Sequence, residues 1–266
     1  MGRIIKMGIT PRPNDMTDIE SILEKNTDVK YSERWHPTYV FAFENALSNG
    51  SLKGMNKELR KNIAYSLQYL QYLQIQFNEI HLHDVIAALL IKNYIITSMG
   101  IIEGLFYHLV KSNKHQLKDE WELDKTIKTN SLKEDNIEKK YEIIIYKKLA
   151  KPTDRQMTFD QLINTVQNKK LINVYRSTYP YLRELKVIRN KVHLQIVNYD
   201  NDTDYMSIDY YDYLAMRSIL HSVLTNEKFI VSEESIYDFI KLDDEEDKKL
   251  KEQLKKRHEK RKTSNT

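Results

Sequence analysis

The chain has 266 residues, no cysteine, only 6 glycines and 5 prolines, and a formal net charge of +4. A chain of this length can bury a proper hydrophobic core within one domain. The lack of cysteine excludes a disulfide framework, a thiol nucleophile and a cysteine-ligated zinc site, and it is typical of a reducing cytosol. Few glycines and prolines favour long helices over a turn-rich β fold.

The positive charge is concentrated in one part of the sequence. Residues 248–262 contain nine Lys or Arg against two Glu, a net charge of +7, which leaves −3 for the rest of the chain. An electrostatic argument for nucleic-acid binding therefore does not extend to the whole protein. We expect residues 243–266 to form a charged tail that is either a solvated helix or disordered.

The sequence predicts neither a targeting signal nor a membrane span. Residues 1–30 should form an irregular arm followed by a short helix, and they lack the apolar core and cleavage site of a signal peptide. The longest uncharged run in the apolar centre, 93–102, has ten residues, against the roughly 18 or more that a span requires. We therefore expect a cytoplasmic protein that does not engage a membrane.

A first long helix is predicted from about residue 57 to 80, with Asn56 as its N-cap. Three tyrosines lie along it: Tyr65, Tyr69 and Tyr72. Their rings can stack on nucleic-acid bases, or they can pack at the edge of the core with their hydroxyls in water. His81 and His83 follow. They can share a metal ion only if this segment is a connection, because residues two apart in a helix point in different directions.

The most apolar helix is predicted from residue 84 to 110. Apolar residues occur nearly all round it, so it should be buried at the centre of the protein. Gly100 and Gly104 should let another helix approach closely. Glu103 lies between them, and a carboxylate in such surroundings needs a partner.

After Lys111 the hydrophobic period changes from helical to alternating. Residues 121–129 alternate apolar and polar side chains, and residues 141–149 are dense in β-branched and aromatic ones. The polar stretch 130–139 separates them. This pattern predicts a β-hairpin at about 120–150, inserted into a helical domain.

The most informative run of the chain is residues 180–195, which we predict to be one helix. Pro180 suits a first turn, and apolar residues recur every three to four positions. Arg189 and His193 are four apart, so in a helix their side chains are neighbours. An arginine can bind a phosphate bidentately, and a histidine can move a proton at a ribose hydroxyl. The same pair can also be the polar edge of a core helix.

A second pair at the same spacing, Arg217 and His221, lies on a predicted helix that ends at Leu224. It lacks the asparagine that follows the first arginine, and it shows that such pairs also arise by chance. Arg217 is a further candidate for the site.

The segment from Leu182 to His193 resembles the signature helix of the HEPN superfamily. In that motif an arginine is followed by a polar residue, often asparagine, a few further residues and a histidine. The resemblance covers one helix closely and otherwise only the general layout, with Glu103 on an earlier helix. The family usually has four to six residues between arginine and histidine, whereas this chain has three, Asn190 to Val192.

The resemblance implies a mainly α-helical, HEPN-like bundle over residues 31–242 that forms a homodimer and cleaves RNA without a metal ion or another cofactor. It implies that Arg189 binds the phosphate, His193 transfers protons and Asn190 supports them. HEPN-like folds pack the two helices together, so Glu103 is the expected partner of Arg189. Many relatives are toxins or phage-defence effectors, so an antitoxin or regulatory protein is expected as a further partner.

Two other interpretations stay open. A catalytically inactive HEPN-like module would bind RNA, a nucleotide or a protein, and the short motif spacing favours it. A helical scaffold would have no site. The sequence contains no Gly-rich phosphate loop, paired catalytic carboxylates or Cys/His ligand cluster, which argues against a kinase, a glycosidase and a zinc enzyme.

Overall fold

The computed structural model of the protein describes residues 35–134, 136–192, 203–231 and 233–264. The chain divides into two compact units, residues 1–37 and 38–266. The first unit is described only at residues 35–37, so the fold reported below is that of the second unit.

The second unit is mainly helical, with one inserted hairpin, as predicted. Its described residues form eight α-helices: α1 (Val40–Ala46), α2 (Lys57–Glu79), α3 (Asp84–Ser112), α4 (Phe159–Asn168), α5 (Thr178–Asn190), α6 (Asp204–Ser207), α7 (Tyr210–Leu224) and α8 (Asp244–Ser264). They also form four strands: β1 (Lys118–Lys128), β2 (Leu132–Glu134), β3 (Ile137–Lys139) and β4 (Glu142–Asp154). Short 3₁₀ turns occur at Gly50–Leu52, Glu227–Phe229 and Glu234–Tyr237.

Five of the described α-helices begin at side-chain caps, and three of these caps illustrate the pattern. Asn56 accepts a backbone N–H from the first turn of α2, as predicted. Thr158 forms a capping box with Gln161 at α4, and Asp209 forms one with Asp212 at α7. Each cap satisfies an N–H group that has no acceptor within its own helix, which fixes where the helix starts.

Helix α3 is the central element of the fold, and α2, α4, α5, α6 and α7 all pack against it. Its buried Lys92 forms an ion pair with Asp204 of α6 at 2.8 Å. By length and composition alone α3 could cross a membrane, which corrects the expectation drawn from its short uncharged run. Half of its most apolar window is buried inside the protein, so its central position accounts for its composition.

The two glycines of α3 behave differently. A Cβ at Gly104 would lie 3.1 Å from Cδ1 of Leu59 and 3.4 Å from Cδ1 of Ile63, both on α2. A Cβ at Gly100 would meet no atom within 4 Å. The prediction of a close helix approach is therefore confirmed at Gly104 and wrong at Gly100.

The inserted hairpin pairs β1 with β4 in antiparallel register, and the small β2–β3 ladder lies in the connection between them. Most of its side chains are exposed on both faces. About half the surface of several large apolar residues is open to solvent: Trp121, Leu123, Ile143, Ile144 and Tyr146. This pattern differs from an ordinary amphipathic sheet, which buries one face.

The charged tail is helix α8, and it is docked on the body of the protein. Leu250 enters the core with 4% of its surface exposed. The buried Arg217 of α7 donates to Oε1 of Glu246 at 2.6 Å and to the carbonyl oxygen of Lys241 at 2.7 Å. The helical alternative for the tail is therefore the correct one for the described residues. The guanidinium of Arg217 is committed to these contacts, which gives it a structural role in docking α8.

Candidate functional site

Helix α5 carries the motif, but it is shorter than predicted. It runs from Thr178 to Asn190 with Pro180 in its first turn. Its inward residues Leu182, Leu185 and Ile188 are buried, as their spacing predicted. The predicted end was residue 195.

The early end of α5 has a physical cause in the residue that follows it. Lys191 is only 7% exposed, and its Nζ donates to Oγ of Ser207 in α6 at 2.8 Å. The N–H of Val192 bonds to the carbonyl oxygen of Arg189 at 3.3 Å, a three-residue step that tightens the last turn. Val192, which continues the apolar three-to-four-residue spacing of the predicted helix, is 55% exposed.

His193 lies outside the described residues. The structure therefore does not test whether it approaches Arg189, and its catalytic role stays a prediction from the sequence. Asn190, the last residue of α5, is exposed to solvent.

The arginine of the motif is held between three helices. Nη2 of Arg189 donates to Oε2 of Glu103 on α3 at 2.7 Å. The guanidinium carbon lies 5.9 Å from the centroid of the Phe159 ring, at the start of α4. The Glu103–Arg189 contact predicted from the sequence is therefore present. The two side chains are 31% and 35% exposed, so the guanidinium is fixed in place and still partly open to solvent.

Two further cations lie beside Arg189 on α5. Lys186 forms an ion pair with Asp160 of α4, and Arg183 donates to Oδ1 of Asn164 at 2.7 Å and to Oε1 of Gln167 at 2.8 Å. Arg183, Lys186 and Arg189 are three residues apart, so they form one basic row along α5. The sequence interpretation missed this row, although its three-residue spacing was the signal that could have shown it.

The two histidines before α3 belong to a helix–helix connection. Nδ1 of His83 accepts the N–H of Val85 at 3.4 Å, which makes His83 the N-cap of α3. His81 is exposed. Within the described ranges, no group of three or more His, Cys, Asp and Glu is arranged to hold a metal ion. The structure thus gives His83 a structural role.

The three tyrosines along α2 are exposed to solvent. Tyr65, Tyr69 and Tyr72 keep 48%, 42% and 44% of their surface in solvent. The rings of Tyr69 and Tyr72 stack with centroids 6.2 Å apart. Nζ of Lys61 lies 5.9 Å from the centroid of Tyr65. This outer face of α2 is therefore compatible with base stacking.

A cleft of about 300 Å³ borders α5 on a different side from the basic row. Lys191, Asp212 and Arg257 contribute to its lining, and neither Arg189 nor Glu103 does. Arg257 is paired with Asp209 at 2.9 Å and with Asp212 at 3.2 Å. Since Arg257 of α8 is bound by Asp209 and Asp212, we assign the cleft a structural role in docking α8.

Comparison with protein-family models, with curated proteins and with solved structures finds no match to this chain. The functional inference therefore depends on the residues and their geometry.

Proposed function

We propose that the protein is a HEPN-like endoribonuclease that acts as a homodimer without a metal ion, with Arg189 and His193 as its catalytic residues. The observation that carries this proposal is the Glu103–Arg189 ion pair. It is the contact that the motif resemblance led us to expect between the signature helix and an acidic residue of an earlier helix. It also presents a fixed, partly exposed guanidinium at the protein surface.

In the proposed reaction, the ribose 2′-hydroxyl of RNA attacks the adjacent phosphorus atom. The new P–O2′ bond forms as the P–O5′ bond breaks, leaving a 2′,3′-cyclic phosphate and a 5′-hydroxyl. A base accepts the proton of the attacking hydroxyl, and an acid supplies one to the leaving oxygen. Arg189 stabilises the charge that develops on the phosphoryl oxygens, His193 transfers a proton, and Asn190 donates a hydrogen bond to an oxygen.

The dimer completes the chemistry because one subunit offers a single motif histidine, whereas the reaction uses both a base and an acid. A twofold axis would bring two Arg189–His193 sets into one cleft. The row formed by Arg183, Lys186 and Arg189 supports contact with the phosphate backbone, which lysine and arginine neutralise. A toxin or phage-defence effector, controlled by an antitoxin or regulatory protein, is the biological role proposed for such an enzyme.

A second candidate is a catalytically inactive module of the same kind that binds RNA, a nucleotide or a protein. Two observations favour it. The motif has only three residues between Arg189 and His193. In addition, Nη2 of Arg189 is engaged by Glu103, so a phosphate has to share the guanidinium with this carboxylate.

The test is RNA cleavage in EDTA by the wild-type protein and by the variants Arg189→Ala, His193→Ala and Arg183→Ala. Arg183 is the matched control, because it lies on the same helix and also hydrogen-bonds to α4. Light scattering gives the oligomeric state of each sample, and mass spectrometry identifies the ends of the products.

We expect cleavage that leaves 2′,3′-cyclic phosphate ends and disappears in Arg189→Ala and His193→Ala. In Arg183→Ala cleavage should only be weakened, because this variant loses a contact to the phosphate backbone and no catalytic group. Cleavage that survives both motif substitutions would refute the assignment. Binding of RNA by a folded wild-type dimer without cleavage would favour the inactive module.

A further inference from the structure

The ribbon formed by β1 and β4 has no third strand on either outer edge in the part of the chain that the structure describes. A two-stranded ribbon is marginally stable in water. Its outer edges also present unpaired backbone N–H and C=O groups that can pair with another strand. The outer edges of β1 and β4 differ in how well they can pair with another strand.

The edge of β1 is interrupted. Leu123 pairs with Tyr146 and Lys125 with Ile145, so Asp124 is an extra residue without an opposite partner. Such a bulge bends the strand and disturbs its hydrogen-bonding edge. A further strand is therefore poorly accommodated beside β1.

The edge of β4 is regular over one segment. Every residue from Glu142 to Lys148 has a partner in β1, because the extra residue of the bulge, Asp124, lies on the β1 side between the partners of Tyr146 and Ile145. Beyond Lys148 the next paired residue is Thr153. The intervening irregular part contains Pro152, which has no N–H to offer a strand. The regular edge is thus a seven-residue segment with Ile145 at its centre.

This segment exposes apolar side chains on both faces of the ribbon. Ile144 and Tyr146 on one face are 50% and 56% exposed, and Ile143 on the other is 53% exposed. Clusters of large apolar groups in solvent usually mark an interaction surface.

We propose that Glu142–Lys148 pairs antiparallel with the same segment of a second copy of this chain, about a twofold axis at Ile145. The two ribbons then form one four-stranded sheet. The pairing supplies backbone partners to the open edge of β4 and covers part of its exposed apolar surface.

The occupant is a second copy because the segment is complementary to itself. Antiparallel pairing about Ile145 places Glu142 opposite Lys148 of the second copy and Ile144 opposite Tyr146 of the second copy. Opposite charges then meet at the two ends of the segment, and apolar side chains meet at its centre, which is the self-complementarity that a twofold interface requires. On the other face, Ile143 lies beside the aliphatic stem of Lys147 of the second copy.

The register follows from symmetry. A twofold axis perpendicular to the sheet leaves the same face of both ribbons on the same side of the sheet. Directly opposite side chains must lie on the same side, so the residue paired with any given residue can change only by two positions at a time. A shift one way places Lys148 opposite Lys140 of the second copy, and like charges directly opposite each other are unfavourable. A shift the other way leaves Glu142 opposite Ala150 of the second copy, outside the regular segment. Of these three registers, only the one centred on Ile145 pairs all seven residues of the segment.

The sheet that this pairing forms closes at two copies. After β4 pairs with β4, the outer strands of the sheet are the two copies of β1, whose edges carry the bulge at Asp124. Bulged edges oppose further strand addition, so the geometry gives a dimer instead of a growing sheet. This inference does not depend on the proposed ribonuclease activity.

The test uses the absence of cysteine from the chain. In the full-length variant Ile145→Cys the two thiols face each other across the axis, where opposite Cβ atoms are about 4.5–5.5 Å apart. In the control Ile143→Cys, on the same face of the same strand, the two thiols are four residues apart along the strands, roughly 13 Å. Mild oxidation and non-reducing electrophoresis are expected to give a covalent dimer for Ile145→Cys and none for Ile143→Cys.

A charge-reversal series provides a second readout that does not require a thiol. Glu142→Lys and Lys148→Glu should each raise the dimer dissociation constant about tenfold or more, because like charges then face each other. The double variant should regain the dimer, measured by sedimentation velocity with circular dichroism as the control for folding. Three results would overturn the proposal. The wild-type protein could be a monomer, the cross-linking yield could be equal at positions 143 and 145, or the dimer dissociation constant could stay unchanged in both Glu142→Lys and Lys148→Glu.

Discussion

Nη2 of Arg189 lies 2.7 Å from Oε2 of Glu103, although the two residues are 86 positions apart in the sequence. The contact joins the end of α5 to the middle of α3. Phe159 of α4 adds an aromatic face beside the guanidinium. Three elements thus fix the direction of one partly exposed cation, which is the arrangement expected of a group that positions a phosphate.

We expect Glu103→Gln to separate activity from stability. Both partners are about one third exposed, and exposed ion pairs contribute at most about 1 kcal/mol. The free energy of unfolding should therefore change little. Loss of the Glu103 carboxylate should let the Arg189 guanidinium move from its position and lower the proposed RNA cleavage by roughly tenfold to a hundredfold. Urea denaturation and cleavage rates measure the two effects, and unchanged cleavage would remove Glu103 from the site.

We expect Arg217→Leu to destabilise the protein by about 3–5 kcal/mol, because it leaves a buried partner without its counter-charge. The side chains of Arg217 and Glu246 are only 6% and 18% exposed. The matched control is Lys249→Leu, since its pair with Glu245 is mostly in solvent and its loss should not be measurable. Denaturant titration gives the free energies, and equal effects of the two substitutions would contradict the structural role of Arg217.

We expect acid to destabilise the protein through His108. Burial lowers the pKa of His108 from its ordinary value of 6.5, and the hydrogen bond to the carbonyl oxygen of Ser51 opposes this only in part. As the pH falls, the unfolded chain therefore binds the proton at a higher pH than the folded chain does. The free energy of unfolding should fall as the pH drops below about 6.5, by at most about 1.4 kcal/mol per pH unit for each such histidine. Below the folded pKa this slope ends.

The measurement is a series of urea titrations between pH 5 and 8. His108→Gln should show a shallower dependence than the wild type. His81→Gln, at an exposed position, is the control and should keep the wild-type slope. Burial also lowers the pKa of His221, so part of the dependence should persist in His108→Gln. An unchanged slope in that variant would show that His108 is not a source of the effect.

Two glycine substitutions should have opposite effects. Gly50 has a φ of +52°, and a Cβ there would lie 2.2 Å from the carbonyl oxygen of Lys228. Gly50→Ala should cost about 1–3 kcal/mol from backbone strain alone, with the clash in addition. Gly100 lies within α3 facing open space, so Gly100→Ala should stabilise the protein by up to about 1 kcal/mol. Thermal denaturation distinguishes the two, and a loss of stability in Gly100→Ala would contradict this packing.

Features determined by nearby residues could be predicted from the sequence. Asn56 and Asp209 begin helices because a short polar side chain reaches an N–H of the first turn. The hairpin follows from a change of hydrophobic period. The pairing of Glu103 with Arg189 was predictable because a carboxylate on an apolar helix needs a cation, and the motif resemblance identified which one.

Features that depend on distant partners could not be predicted. Helix α5 ends at Asn190, and Lys191 then turns to Ser207, which lies 16 positions later. The hydrophobic spacing alone favoured a longer helix. The spacing of Arg217 and His221 indicated no partner for Arg217, and only the fold places Glu246 beside it, 29 positions further along the chain. The role proposed for His193 still rests on the motif, because that residue lies outside the described ranges.

The docking of α8 has a consequence for how the chain matures during translation. Arg217 is synthesised before the groups that accept its hydrogen bonds, which are the carbonyl oxygens of Ile240 and Lys241 and the carboxylate of Glu246. Until these residues leave the ribosome, the nascent chain carries a cation in α7 with no counter-charge, and the core surface that Leu250 covers is open. The last folding step should therefore be the arrival of α8, and chaperones should recognise the unfinished protein up to that moment.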